Sequence, residues 1–310
     1  MKKKKKKFSV RIFRENLELG ILALPVFILL GVFAYWPMFG IVLAFKNYKV
    51  TKGIFGSDWV DPLFKNFDFF LKSKDAPRII RNTLGLNLLF IVAGIFFSVV
   101  FALLLYEVKK AYQIKIYQTF AILPSFLSWV AVSYIVYALL EPSKGIINQI
   151  VVSFGGDKIS WYTEASYWPI ILVIVRIWHS VGLSCIVYYA ALMGIDSELY
   201  EAAEVDGATK FQRVIHISIP HLVPIIIIMG ILDVGKIFRS DFGMFYNVTR
   251  NMPELYATTD VMDTYVYRAL MGGNLSMSSA SSVIQSIVCC ITLVVTNAIV
   301  KKISPENSLF

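Results

Sequence analysis

Residues 198–224 read ELYEAAEVDGATKFQRVIHISIPHLVP, a polar passage set between two strongly apolar segments. Glu198 to Asp206 is short, acidic and built from good helix formers. Gly207 breaks that run, and 208–215 reads as a second short helix. Pro220 and Pro224 punctuate the return into apolar sequence. A charged helix, a glycine and another helix cannot lie in hydrocarbon, because their side chains and backbone ends need water or a protein partner. The passage is therefore a loop at the membrane surface, and the apolar segments on either side of it are spans. That reading makes the chain an all-α integral membrane protein.

Composition agrees. Of 310 residues, 57% are hydrophobic and the mean hydropathy is +0.65, where a soluble domain sits near about 45–50% apolar. The apolar residues gather in long blocks, predicting spans over 17–45, 82–106, 116–140, 168–193, 221–238 and 278–300. These form one transmembrane unit, 17–302, with a basic tail at 1–16, a polar loop at 194–220 and a short tail at 303–310. The first apolar block is too long for a cleavable signal peptide and has no small-x-small site after it. Cys185, Cys289 and Cys290 all fall in apolar blocks and predict neither disulfide nor metal site. The net charge of +9 comes largely from Lys2–Lys7, which suits an anionic membrane surface better than nucleic acid. Lysine and arginine are nearly level between the two sides, so that run before the first span sets the orientation: both termini and the 194–220 loop cytoplasmic.

No enzyme signature is present: no Walker A loop, no HExxH, and Gly182-Leu183-Ser184 is followed by Cys185 where a serine-protease motif needs glycine. What remains is polar groups within spans: Asn82, Asn87, Arg176, His179, Asp233, Lys236 and Gln285. An ionisable group at mid-membrane costs roughly 2.5–3.5 kcal/mol on insertion scales, so it faces a cavity or a partner. Asp233 and Lys236 are three apart, on one face of a helix, and pair as salt-bridge partners. Two readings stand: helix–helix hydrogen bonding, or a solute path through Asn87, Trp129, Arg176, Trp178, His179, Asp233, Lys236 and Gln285. Tyr35, Trp36, Tyr134, Tyr137 and Trp168 fit an interfacial aromatic belt or surfaces that stack on sugar rings.

Glu201-Ala202-Ala203, Gly207, Ile217 and Pro220 resemble the E-A-A-x3-G-x9-I-x-L-P signature of permease subunits in ABC importers, with Ile219 in place of leucine. Further runs resemble the LplB-type polysaccharide permeases: Trp36-Pro37-Met38-Phe39-Gly40-Ile41, Arg81-Asn82-Thr83, Ile122-Leu123-Pro124-Ser125-Phe126, and 259–268. Trp178-His179 departs from the Trp-Lys common in that branch. The resemblance implies a bacterial plasma-membrane protein with a six-helix type I importer fold, whose loop docks an ATPase through Glu198, Glu201, Ala202, Ala203, Asp206, Gly207, Ile217 and Pro220. It also implies a second, usually different, permease subunit, two ATPase subunits that bind ATP and Mg, and an external solute-binding protein; this chain itself binds no cofactor. Two other expectations compete. One is an ion-coupled secondary transporter using Asp233, Lys236 and Arg176, against which stands the lack of an inverted repeat. The other is an ABC permease for a non-sugar solute. Basic residues outnumber acidic ones in 46–81, which fits anionic saccharides such as uronides or an acidic binding protein.

Overall fold

The computed structural model describes residues 10–308; the run Lys2–Lys7 lies outside them. Within the predicted tail, a helix is already under way at Val10 and continues without a break into the first span. Five helices are long and apolar enough to cross a membrane: Leu17–Phe45, Ala76–Tyr106, Ala165–Met193, Lys210–Val234 and Leu275–Ile303. The pair Ala111–Phe126 and Trp129–Leu140, bent by 99°, makes the sixth and lies third in chain order. Many large apolar side chains, such as Leu22, Phe27, Phe33 and Phe96, point away from the protein interior. In a bilayer such side chains carry no hydrophobic penalty, since lipid tails are as apolar as they are.

Four boundaries differ from the sequence reading. The second span begins at Ala76 rather than at 82, because Pro77 sits in its first turn, where the missing N–H costs nothing. The third span is not one straight helix. Pro124 opens a 3-10 turn, and Ser128 starts a new helix by accepting a hydrogen bond from Ala131 N at 3.3 Å. The 208–215 segment is not a separate helix. Thr209 caps a helix that begins at Lys210 with a capping box to Gln212. That helix passes through a π turn at Val214–Ser218 and becomes the fifth span. The π turn lies just before Pro220, where the regular ladder would lose a donor in any case. Finally, the fifth span stops at Val234 with Gly235 as its cap, and Lys236 follows in a turn in which its N–H donates to Asp233 O at 3.0 Å.

The second and fourth spans pack along most of their length. The second, fourth and fifth spans meet around Leu105, Tyr188, Leu192 and Leu222 near the 194–220 loop. At the opposite end, Trp168, Leu172, Val132 and Val136 enclose the short helix Phe242–Val248 through Met244 and Phe245. Trp168 is fully buried and its indole donates to Trp161 O at 2.7 Å. A third cluster, Phe70, Ile79, Phe238 and Met262, seats the helix Met262–Met271 on the N-terminal part of the second span.

Gly182 permits the third and fourth spans to cross. A β-carbon there would collide with the Ala121 carbonyl and the Ile122 amide, which are backbone atoms and cannot swing aside. Gly182→Ala is therefore expected to destabilise the protein by about 1–3 kcal/mol, the usual cost of overpacking. Gly85→Ala, with nothing within 4 Å of the added carbon, is the control. A melting temperature for Gly182→Ala equal to that of the control would show that the crossing is looser than this.

Candidate functional site

The first functional element is the loop after the fourth span. Its helix, Ser197–Val205, is capped by Asp196, whose carboxylate accepts from Glu198 N at 3.1 Å. At the other end Gly207 takes φ +80. Gly207 N donates to Glu204 O at 3.1 Å and Ala208 N to Ala203 O at 2.9 Å. That pair of bonds is a Schellman motif, which requires a left-handed residue at the position of Gly207. The helix is tied back to the fifth span by Tyr200 to Ser218 (2.9 Å) and by Arg213 to Glu204 (2.7 Å). Lys210 reaches Glu107 at the end of the second span, 3.1 Å away.

Glu198, Glu201, Ala202 and Asp206 are exposed, and Ala203 is half-buried. Beside these acidic groups Val205 and Phe211 are exposed too, giving an acidic ridge with apolar tips. Ile217 lies in the π turn, and its carbonyl is bonded by His221 Nδ1 at 2.7 Å; Pro220 follows in the second position of the next helix. These two shape the helix start rather than add to the exposed ridge. Sequence reasoning missed Tyr200, Arg213 and Ser218, the residues that hold the ridge rigidly to a span; nothing in their spacing marks them.

The second element is a cavity of about 450 Å³ among the second, fourth and fifth spans. Asn87, Arg176, Asp233 and Lys236 line it, together with Arg239 and Asp241. Trp129, Trp178 and His179 do not. Trp178 is an exposed side chain of the fourth span outside the cavity wall. Trp129 stacks on His179 with ring centroids 4.1 Å apart, and His179 Nε2 lies 3.1 Å from Leu127 O, at the break in the third span. These two rings brace the bend. Gln285 lines a neighbouring cavity instead.

Asp241 organises this region. Its Oδ2 accepts from Arg176 at 3.0 Å and from Trp129 Nε1 at 2.9 Å, while Oδ1 caps the Phe242–Val248 helix through Met244 N at 3.2 Å. The expected Asp233–Lys236 ion pair is absent from the ion pairs of the described residues, although both side chains line the cavity; Arg176 pairs with Asp241 instead. Asn87 donates to Ile237 O (2.8 Å) and Ser240 Oγ (3.1 Å). Gln285 donates to Phe238 O and Asp263 Oδ2, both at 2.9 Å. Both amides therefore clamp the turn after the fifth span. Burial pushes the Asp263 carboxyl above the usual carboxylate range, against the donors Ser240 N and Gln285. Lys236 and Arg239 are exposed and make no ion pair among the described residues; with Arg176 they set three cations on the cavity wall against the two carboxylates Asp233 and Asp241, an excess of one positive charge.

The third element pins the far end. Asp260 is fully buried and accepts from Arg78 at 3.0 Å and Arg268 at 2.6 Å. Thr264 adds a bond at 3.2 Å, and the Arg268 guanidinium lies 4.3 Å from the Tyr256 ring centre. Arg81 and Asn82 bond to Ala257 O, and Thr83 Oγ accepts from Met262 N at 3.0 Å. The Arg81-Asn82-Thr83 run is thus the fastening for the 253–271 segment.

Comparison with known proteins accords with this arrangement. Residues 84–306 match the model of the family described as binding-protein-dependent transport system inner membrane component. LplB of Bacillus subtilis (strain 168) is 35% identical over 292 residues, covering 93% of this chain and 90% of that protein. The polygalacturonan/rhamnogalacturonan transport system permease protein YteP of the same organism is also 35% identical, over 99% of this chain and 94% of that one. Among solved structures, a chain of a bacterial ABC transporter involved in import of the acidic polysaccharide alginate superposes with a TM-score of 0.85 at 30% identity, covering 95% of this chain and 98% of that chain. The same kind of transporter in complex with an alginate pentasaccharide-bound periplasmic protein gives 0.84.

Proposed function

This chain belongs to the family of binding-protein-dependent transport system inner membrane components, and from that membership we propose that it forms half of the translocation pathway of an ABC importer for an acidic oligosaccharide. The observation that carries the reading is the cavity among the second, fourth and fifth spans, whose wall holds Arg176, Lys236 and Arg239 against Asp233 and Asp241, three cations to two carboxylates. A charge left unpaired in a membrane is costly unless a solute or water meets it. A hexuronate oligomer brings one carboxylate per ring, and a guanidinium or ammonium meets a carboxylate through strong charge-assisted hydrogen bonds. The names of YteP and of the alginate importer support the same solute class.

In this reading the acidic ridge at 197–206 faces the cytoplasm and seats in a groove of an ATPase subunit. The ATPase supplies nucleotide binding and hydrolysis; the permease chain binds no nucleotide. Closure of the two ATPases displaces the ridge. Tyr200–Ser218 and Arg213–Glu204 pass that displacement to the fifth span as a rigid body, the usual means of moving one packed element between two states. At the other end an external binding protein delivers the solute near the 253–271 segment, and a second permease completes the pathway.

Transport assays decide the solute. Proteoliposomes holding the complete transporter are expected to take up trigalacturonate or trimannuronate in preference to maltotriose. Preference for the neutral sugar would contradict the reading. Orientation is checked by single-cysteine labelling in a background without native cysteines: a cysteine at 254 is expected to react with an impermeant reagent outside intact cells, and one at 207 is not. Labelling at 207 from outside would reverse the topology.

A further inference from the structure

We propose that a second cavity, beside the one just described, is an outer subsite that binds a hexuronate ring before it reaches mid-membrane; the inference rests on the acidic-saccharide reading. This cavity holds about 530 Å³. It lies between the turn after the fifth span, the Met262–Met271 helix and the first half of the sixth span. Its wall combines Phe242 and Tyr267 with Lys236 and Arg239, and adds the hydroxyls of Ser282 and Ser286.

The aromatic part is preorganised. Phe242 and Tyr267 have ring centroids 4.7 Å apart. Tyr246 backs both, stacked on Phe242 at 5.1 Å and edge-on to Tyr267 at 5.0 Å. Three rings in mutual contact hold one another in place, so little conformational freedom is lost when a ligand lands on them. The face of an aromatic ring is electron-rich and attracts the weakly positive C–H face of a pyranose, while the rim of the sugar needs hydrogen-bonding groups. Serine hydroxyls supply these. Lys236 and Arg239 supply the partner for a carboxylate at C6. Asp263, the acidic residue on this wall, is already occupied at Oδ2 by Ser240 N (2.7 Å) and Gln285 Nε2 (2.9 Å), which limits its repulsion of an anion.

Both cavities share Lys236 and Arg239. A carboxylate bound in the outer cavity therefore passes to the inner one without leaving its cationic partners. That continuity, together with the three-ring cluster of Phe242, Tyr246 and Tyr267 on the outer side of the shared pair, makes the outer cavity a waiting position for the next sugar unit of an oligomer.

The test uses the complete transporter in proteoliposomes, with Ser286→Cys as a reporter in a background whose native cysteines are replaced. Position 286 is expected to react with an aqueous methanethiosulfonate reagent. Trigalacturonate or trimannuronate at ten times Kd should slow the reaction about tenfold, and maltotriose should not. Phe242→Leu and Tyr267→Leu keep apolar volume but remove a ring, and should each raise KM for the trisaccharide roughly five- to tenfold, with Tyr267→Phe near wild type. Labelling without protection overturns the subsite, as does an unreactive position 286, which would mean that lipid or the second permease fills the cavity. Unchanged KM in both leucine variants overturns it too, while wild-type uptake of the trisaccharide leaves the acidic-saccharide reading standing. Failure of the wild-type transporter to take up either hexuronate overturns both.

Discussion

Replacing Asp260 with alanine is expected to cost the protein about 3–5 kcal/mol, the range for breaking a buried ion pair from one side. The carboxylate is fully buried, and Arg78 and Arg268 converge on it from two different elements. Removing it leaves two guanidinium groups facing each other with no anion between them. Nε of Arg78 and Nη1 of Arg268 already lack hydrogen-bond partners, and Asp75, which pairs with Arg78 at 2.9 Å, is only half-buried and makes no ion pair with Arg268 among the described residues. The 253–271 segment would lose its fastening to the second span. A sharp fall in the melting temperature of the purified protein checks this. Asp58→Ala, which breaks only the exposed pair with Lys52, should leave the melting temperature where it was, because surface pairs contribute little. Equal effects from the two variants would show that the Asp260 cluster is not a fastening.

The second large effect is expected at the 197–206 ridge, on transport rather than on folding. Glu201 is exposed and makes no ion pair among the described residues, so its replacement should change the stability of this chain by no more than about 0.5 kcal/mol. If it docks in the ATPase, losing one partner of a buried interfacial pair costs about 2–5 kcal/mol, and Glu201→Lys should lose more activity than Glu201→Ala because repulsion is added. Gly207→Val acts through the backbone. A β-branched residue is strained at φ +80, so the Schellman cap opens and the ridge changes its angle to the fifth span. A β-carbon at this site meets nothing within 4 Å, so the effect comes from φ and not from a clash. All three variants are expected in the membrane at normal levels with solute-stimulated ATPase activity lost or strongly reduced. Full stimulated activity in all three would remove this loop from the coupling path.

Much of this was legible in the sequence, and for identifiable reasons. The spans announce themselves because hydrocarbon demands long apolar runs. The ridge does so because a charged helix followed by glycine has few structural meanings between two spans. Helix ends were harder to place. Pro77 looked like a loop residue and is in fact the first turn of a span, since proline suits both. Asp233 and Lys236 have the spacing of a helical ion pair, and they do share one cavity wall, but spacing alone does not bring the charged ends of the side chains together. Asp241 escaped notice because its partners Arg176 and Trp129 come from the fourth and third spans, and no local pattern records such a meeting. The sequence offers His179 and Trp129 for a solute path; in the fold they stack on each other beside a bend that Pro124 and Ser128 foreshadow only as a local break.

The central claim is that solute movement through this chain is driven by ATP through the 197–206 ridge. Uptake of a hexuronate trisaccharide into proteoliposomes carrying the complete transporter measures it most directly, with the binding protein on one side, ATP on the other and no ion gradient. The account predicts uptake that requires ATP, is blocked by vanadate and disappears in Glu201→Lys. Uptake without ATP, driven by an imposed proton or sodium gradient and unaffected by Glu201→Lys, would contradict it.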